Sequence, residues 1–130
     1  GPEQPRVTAR YGSDVVRTIG GCIKQVKIAD PILRVALRLV RATHPEAPEA
    51  PSIVKSYVRY GASPRAAQAI VLAAKAAALL AGRYHVAVDD LRRVAPAALT
   101  HRLIRNIQAE MERVTAETIV EQLLAASVTS

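Results

Sequence analysis

The sequence predicts an all-α fold, a small bundle of about five to six helices, and three observations predict it. Half of the 130 residues are apolar, enough to bury one core and fold as one domain. The apolar set is dominated by Ala, Val, Leu and Ile, with no Phe, no Trp and four Tyr, and such side chains suit closely approaching helices. Apolar positions also recur at helical spacing between Pro, Gly and Ser punctuation.

Residues 1–12, GPEQPRVTARYG, are polar with two prolines and read as a flexible leading segment. Gly1 and Pro2 match the scar a protease leaves on an expressed fragment, and the helical domain is expected over residues 13–130. SDVVRTIGGCIKQVKI comes next, with Ser13 as cap and Val15, Val16, Ile19, Cys22, Ile23 and Val26 at helical spacing. Adjacent Gly20 and Gly21 weaken it by roughly 1 kcal/mol each.

In ADPILRVALRLVRATHP, Asp30 is placed to cap, Pro31 suits the first helical position and Pro45 stops the helix. Ile32, Leu33, Ala36, Leu37, Leu39 and Val40 form its predicted buried face. Arg34, Arg38 and Arg41 share another side, first as a solvated face and second as a contact for an acidic partner. Residues 44–52, HPEAPEAPS, carry three prolines and two glutamates and read as a loop with polyproline character, His44 being an ordinary member of it. IVKSYVRYG then brings Ile53, Val54, Tyr57 and Val58, suited to one or two helical turns or a packed connector.

The next helix takes Ser63 as cap and Pro64 as first residue and stops at Gly82, which makes it about 18 residues and roughly 27 Å long. Ile70, Val71, Leu72, Leu79, Leu80 and many alanines make it the expected central helix. Beyond it, YHVAV is an extended link carrying Val86 and Val88, with His85 packed or solvated. Asp89 to Val94 and Ala97 to Arg105 are expected as two helical pieces bent at Pro96, with Leu91, Val94, Leu99, Leu103 and Ile104 in the core. Thr115 caps a last helix, AETIVEQLLAAS, docked by Ile119, Val120, Leu123 and Leu124.

A formal charge of +7 suits an acidic partner, nucleotide phosphates or nucleic acid, without choosing among them. The aromatic platforms of single-strand binders are nearly missing and no C2H2 or bZIP spacing occurs, so nucleic acid is disfavoured. A single cysteine, Cys22, excludes an internal disulfide and, without companions at ligand spacing, an ordinary zinc site, which points to a reducing, cytoplasmic location. No apolar run is long enough to span a bilayer, so no membrane contact is expected. There is no phosphate loop, no acidic strand end for a metal and no nucleophile grouping. No catalytic or metal-binding residue is therefore expected, and alone the chain should not hydrolyse ATP.

Arg65 stands out. It follows Ser63 and Pro64 at a helix start, where unpaired N–H groups carry roughly half a positive charge and a cation is disfavoured by a few tenths of a kcal/mol. A phosphate would meet the N–H groups, the dipole and the guanidinium fork together. The alternatives are that Arg65 points into solvent or pairs with Glu46 or Glu49. Lys75 and Arg83 need no special role.

The stretch YVRYGASPRAAQAIVLAAKAAALLAGRYHVAVDDLRRVAPAALTHRLIRN closely resembles the C-terminal lid domain of the MoxR family of AAA+ ATPases. A GASPRA motif opens the helix, a GR-x-x-V segment follows, then a DD-L helix start and an L-x-HR signature, and the likeness runs from about residue 28 to the end. The resemblance implies that Arg65 is the sensor 2 residue, with Gly61, Ala62, Ser63 and Pro64 near the nucleotide. It also implies a parent ATPase whose own core domain, outside this chain, binds most of the ATP and Mg²⁺, and whose lid moves with ATP binding and hydrolysis. A homo-oligomeric ring, usually a hexamer, a chaperone-like role in maturing protein complexes and a von Willebrand factor A-domain partner are implied as well. The family often starts the helix after GR-x-x-V with Thr/Ser-Pro. Here Ala87 and Val88 stand there, so that helix must lean on Asp89 and Asp90. His101 and Arg102 match the HR pair, or serve as cations at a helix C-terminus. The rival reading is a free-standing basic helical module in which Arg34, Arg38, Arg41, Arg92 and Arg93 contact nucleic acid or an acidic protein.

Overall fold

The computed structural model describes residues 13–128. The expectations for the leading segment, for the side chains of Ser13, Val15, Val16 and Ile19, and for the last two residues lie outside what is described. Seven helices are seen among the described residues: α1 (Ser13–Gln25), α2 (Asp30–Arg41), α3 (Ser52–Tyr57), α4 (Arg65–Leu80), α5 (Val88–Leu99), α6 (Ile107–Glu112) and α7 (Ala116–Ser127). Two short strands, β1 (Val58–Tyr60) and β2 (Ile104–Arg105), join them. The all-α expectation holds.

The hub is α4. Ala66, Ile70, Ala74 and Ala78 recur every four residues along it, each 0% exposed, so they form one ridge inclined to the helix axis. Three of the four are alanines, which lets α5 lie close with Leu91, Ala95, Ala98 and Leu99. The pairing of α4 with α5 is the most extensive in the domain, and α4 also packs on α2 and α1. On the far side α7 docks Ile119, Val120 and Leu123 against α2, α3 and α5. Burial of these apolar side chains is the main stabilising contribution, about 1.5 to 3 kcal/mol for each large one.

The helix ends follow local chemistry, with some shifts from expectation. At the end of α4, Gly82 takes a left-handed φ of 80°. The N–H of Arg83 donates to the Ala78 carbonyl at 2.9 Å and that of Gly82 to Leu79 at 2.9 Å, a Schellman stop that an L residue adopts only with strain. At its start the helix begins at Arg65 rather than Pro64 and is 16 residues long. Pro64 already has helical dihedrals, and Ser63 contributes its carbonyl, not its side chain, to the turn. Asp30 likewise does not cap α2. Ala29 holds the extended cap position with no side-chain bond, and Asp30 sits one residue inside as the acid of the first turn. Thr115 caps α7 as expected, its hydroxyl accepting from the Thr118 N–H.

Three expectations need correction. Leu37 on α2 is 45% exposed, because it lines an open cleft shared with Leu33 and with Ala67, Val71 and Leu72 of α4. Pro96 does not split α5 into two pieces. It lies on the exposed side of one continuous helix, which forgoes the single bond that an N–H at this position would make to the Arg92 carbonyl. The helix closes at Leu99, where the Thr100 hydroxyl donates to the Pro96 carbonyl at 2.6 Å and Arg102 Nη1 to the Ala98 carbonyl at 2.7 Å. Consequently Ile104 and Arg105 are not helical. They pair antiparallel with β1, Val58 opposite Arg105 and Tyr60 opposite Ile104, with an irregular step between, and Ile104 is 56% exposed rather than core.

α6 is an addition to the expected elements. Asn106 Oδ1 accepts from the Ala109 N–H while its Nδ2 donates to the Ser56 carbonyl, so one residue caps α6 and ties it to α3. The Tyr57 hydroxyl donates to Glu112 at 2.8 Å across the same contact. The YHVAV link is extended up to Ala87, while Val88, expected in the link, already opens α5. Lys27 N–H donates to the Tyr84 carbonyl and Val86 N–H to the Lys27 carbonyl, both at 2.9 Å, which pins the link to the segment after α1.

Candidate functional site

The loop of Gly61, Ala62, Ser63 and Pro64 runs from β1 into α4, and its shape is set by the end of α2. Gly61 is squeezed against Thr43: a Cβ there would lie 2.7 Å from the Thr43 carbonyl carbon, carbonyl oxygen and Oγ1. Ala62 is fully buried. Its N–H donates to Thr43 Oγ1 at 2.9 Å, and its carbonyl accepts from His44 Nε2 at 2.7 Å. The Thr43 hydroxyl spends its own hydrogen on the Val40 carbonyl, so it faces Ala62 as an acceptor. Gly61 and Ala62 therefore face inward, and Ser63, Pro64 and Arg65 face out.

Arg65 is exposed at the first position of α4, a turn with no acidic residue and no side-chain cap. It makes no hydrogen bond or ion pair with any described residue. Both glutamates considered as its partners are engaged elsewhere: Glu49 with Arg41 Nη1 at 3.3 Å, and Glu46 near His44 Nδ1 at 3.5 Å. Of the alternatives open in the sequence, internal pairing is not realised. The uncompensated positive end of α4 and the free guanidinium project together into solvent, an arrangement suited to a phosphate group. Beside it a cleft of about 280 Å³ is lined by Leu37, Val40, Arg41, His44, Pro64 and Ala67, apolar apart from the Arg41 and His44 side chains. Among the described residues no group of three or more His, Cys, Asp or Glu is placed to hold a metal ion.

The remaining basic residues divide. Arg34 and Arg38 are exposed on α2, while Arg41 is tied to Glu49. Arg92 donates to Asp89 at 2.7 Å and through Nε and Nη2 to the Val128 carbonyl. His101 is exposed, and Arg102 serves the end of α5, the helix-terminus reading of the HR pair for that residue. Arg83, expected to have no special role, makes a two-pronged bond to Asp90 at 2.8 and 2.9 Å. Asp90 is 1% exposed and also accepts from the Ala87 N–H at 2.7 Å. The bonds from Arg83 hold the Asp90 carboxyl below the usual aspartate range against the opposing effect of burial, with the Ala87 N–H adding to them.

The profile of the AAA lid domain family matches residues 50–123, from the turn before α3 into α7. The chain belongs to the AAA lid domain family. The lid domain is similar to the chaperone MoxR1 of Mycobacterium tuberculosis, 36% identical over 88 residues, a match covering 68% of the lid and 23% of that relative. It is also similar to the uncharacterised protein YeaC of Bacillus subtilis, 34% identical over 106 residues, covering 80% of the lid and 30% of that relative. Among solved structures it matches the crystal structure of a candidate ATPase from Cytophaga hutchinsonii with a TM-score of 0.77 and 35% identity, over 84% of the lid and 33% of that chain. The lid domain spans less than a third of the length of either curated relative. These matches agree with the MoxR resemblance carried by the GASPRA and L-x-HR motifs.

Proposed function

We propose that this lid domain reports the nucleotide state of a MoxR-like AAA+ ATPase through Arg65. The observation that carries the reading is an exposed, unpaired arginine at the acid-free head of α4, with Glu46 and Glu49, the partners the sequence offered, engaged elsewhere. These residues fit a phosphate: the guanidinium offers a fork of donors and the helix start a positive field. They do not supply a metal site, so the ligands for Mg²⁺ and most of those for ATP belong to a core domain outside this chain. Bound ATP supplies a γ-phosphate charge that is present before hydrolysis and lost after it. Arg65, held at the helix start, favours the closed lid while that charge is present and releases it otherwise, a population shift set by differential contacts.

On this reading the lid alone does not turn over ATP. A ring assembly, a chaperone-like role in maturing protein complexes, a von Willebrand factor A-domain partner and a cytoplasmic location belong to the same proposal; the likeness to the chaperone MoxR1 supports the chaperone-like role and membership of the lid family supports the ring. The rival basic module is weakened by the engagement of Arg41 and Arg92 within the domain. The test is Arg65→Ala in the full-length ATPase. Steady-state kinetics are expected to show kcat/KM for ATP falling roughly tenfold or more, the size of one charge-assisted hydrogen bond, with the melting temperature unchanged. Wild-type turnover in that variant removes Arg65 from the mechanism.

A further inference from the structure

We infer that Thr43 and His44 are positioning residues for Arg65, holding the head of α4 through the single residue Ala62. This rests on the reading of Arg65 given above and adds to it the part of the domain that aims the arginine. Both backbone polar groups of Ala62 are taken by consecutive side chains at the end of α2: the N–H by Thr43 Oγ1 at 2.9 Å, the carbonyl by His44 Nε2 at 2.7 Å. A carbonyl only accepts, so Nε2 carries the hydrogen. Thr43 is itself 0% exposed and anchored to the Val40 carbonyl, and Gly61 closes the contact from the other side with no room for a Cβ.

Ala62 lies three residues before Arg65, and the intervening Ser63 and Pro64 are exposed and make no side-chain bond within the domain. The direction of the guanidinium therefore depends on how Ala62 is held. Burial alone does not require this device, since Ala62 could be covered by apolar side chains with its polar groups bonded along the main chain. What the two side chains add is a fixed distance between the end of α2 and the start of α4. A rotation of α2 is thereby passed on to the residue that meets the phosphate.

The experiment uses the full-length ATPase and a double-mutant cycle of Thr43→Val and Arg65→Ala, with Thr43→Ser as the conservative control. Thr43→Val keeps the shape and removes the acceptor. It is expected to lower kcat/KM for ATP by roughly three- to tenfold, the size of one buried hydrogen bond, to be restored by Thr43→Ser, and to have little further effect in the Arg65→Ala background. In the lid chain itself, amide hydrogen exchange at residues 61–66 should quicken in Thr43→Val while exchange in α7 stays unchanged, which separates local release from loss of the fold. If Arg65→Ala impairs the enzyme but Thr43→Val does not, or if Thr43→Val lowers kcat/KM equally in both backgrounds, positioning is overturned and the sensor reading stands. If Arg65→Ala has wild-type kinetics, the sensor reading fails and the positioning role fails with it.

Discussion

Asp90 has two jobs that a single carboxylate performs only when ionised. One oxygen receives Arg83 Nη2, while the other receives Arg83 Nη1 and the Ala87 N–H that opens α5. Asp90→Asn keeps the size but removes the charge and presents an N–H₂ to one of these donors, so a loss of roughly 2 kcal/mol is expected, reduced from the buried-pair range because Arg83 is partly solvated. Since the folded carboxyl is held below its ordinary value of about 3.9, its contribution is fully present above that value. It is lost as pH falls through the lower folded value. Urea unfolding should therefore find the gap between wild type and Asp90→Asn wide at neutral pH and narrowing below about pH 4; a gap independent of pH rules out the ionised pair as its source. From sequence alone Asp90 was read as a dipole partner and Arg83 as incidental. Their pairing depends on the direction the chain takes after Gly82, which composition and spacing do not encode.

Among the elements, α4 shows why small residues dominate this helix. Ala66, Ala74 and Ala78 are all fully buried on the helix that makes the domain's most extensive contact, with α5, and side chains this small let neighbouring helices approach closely. Ala74→Leu inserts three carbons into that contact and is expected to cost about 1 to 3 kcal/mol, read as a lower urea midpoint with an unchanged slope. Ala73→Leu, one residue round the helix at a half-buried position, should cost less; equal losses contradict the close-contact account. Helices marked by strong local punctuation, such as Pro31 for α2, Gly82 for α4 and Thr115 for α7, were legible in the sequence. The two strands were not. Each is two or three residues long, and what makes them strands is a partner more than 40 positions away, here Val58 facing Arg105. Pro96 misled for a related reason: it sits on an exposed face of an unbroken helix, and exposure is a tertiary fact.

For the whole molecule, the all-α class followed from composition and periodicity and the family from the resemblance of the GASPRA, GR-x-x-V, DD-L and L-x-HR motifs, and both agree with the fold and the comparisons. Arg65 stood out in the sequence because a cation at a helix start is a local anomaly, and the structure leaves it exposed at an acid-free first turn. Thr43 and His44 did not stand out, since they lie 19 and 18 residues before Ala62, whose backbone they hold, at the edge of a proline-rich loop. The crowding of Gly61 against Thr43 is the physical trace of that contact, and only coordinates expose it.

The Arg83–Asp90 bridge also bears on how the chain folds. It spans seven residues, sits where α4 ends and α5 begins, and closes the two helices that share the largest contact in the domain. Loop closure over so short a distance costs little entropy, so this helical hairpin is the part best able to form before distant segments arrive. Ala74→Gly and Leu91→Ala should then slow refolding by most of their stability loss, whereas Leu123→Ala in α7 should chiefly speed unfolding. Stopped-flow chevrons for the three variants decide it: a folding limb moved mainly by Leu123→Ala would place the nucleus elsewhere.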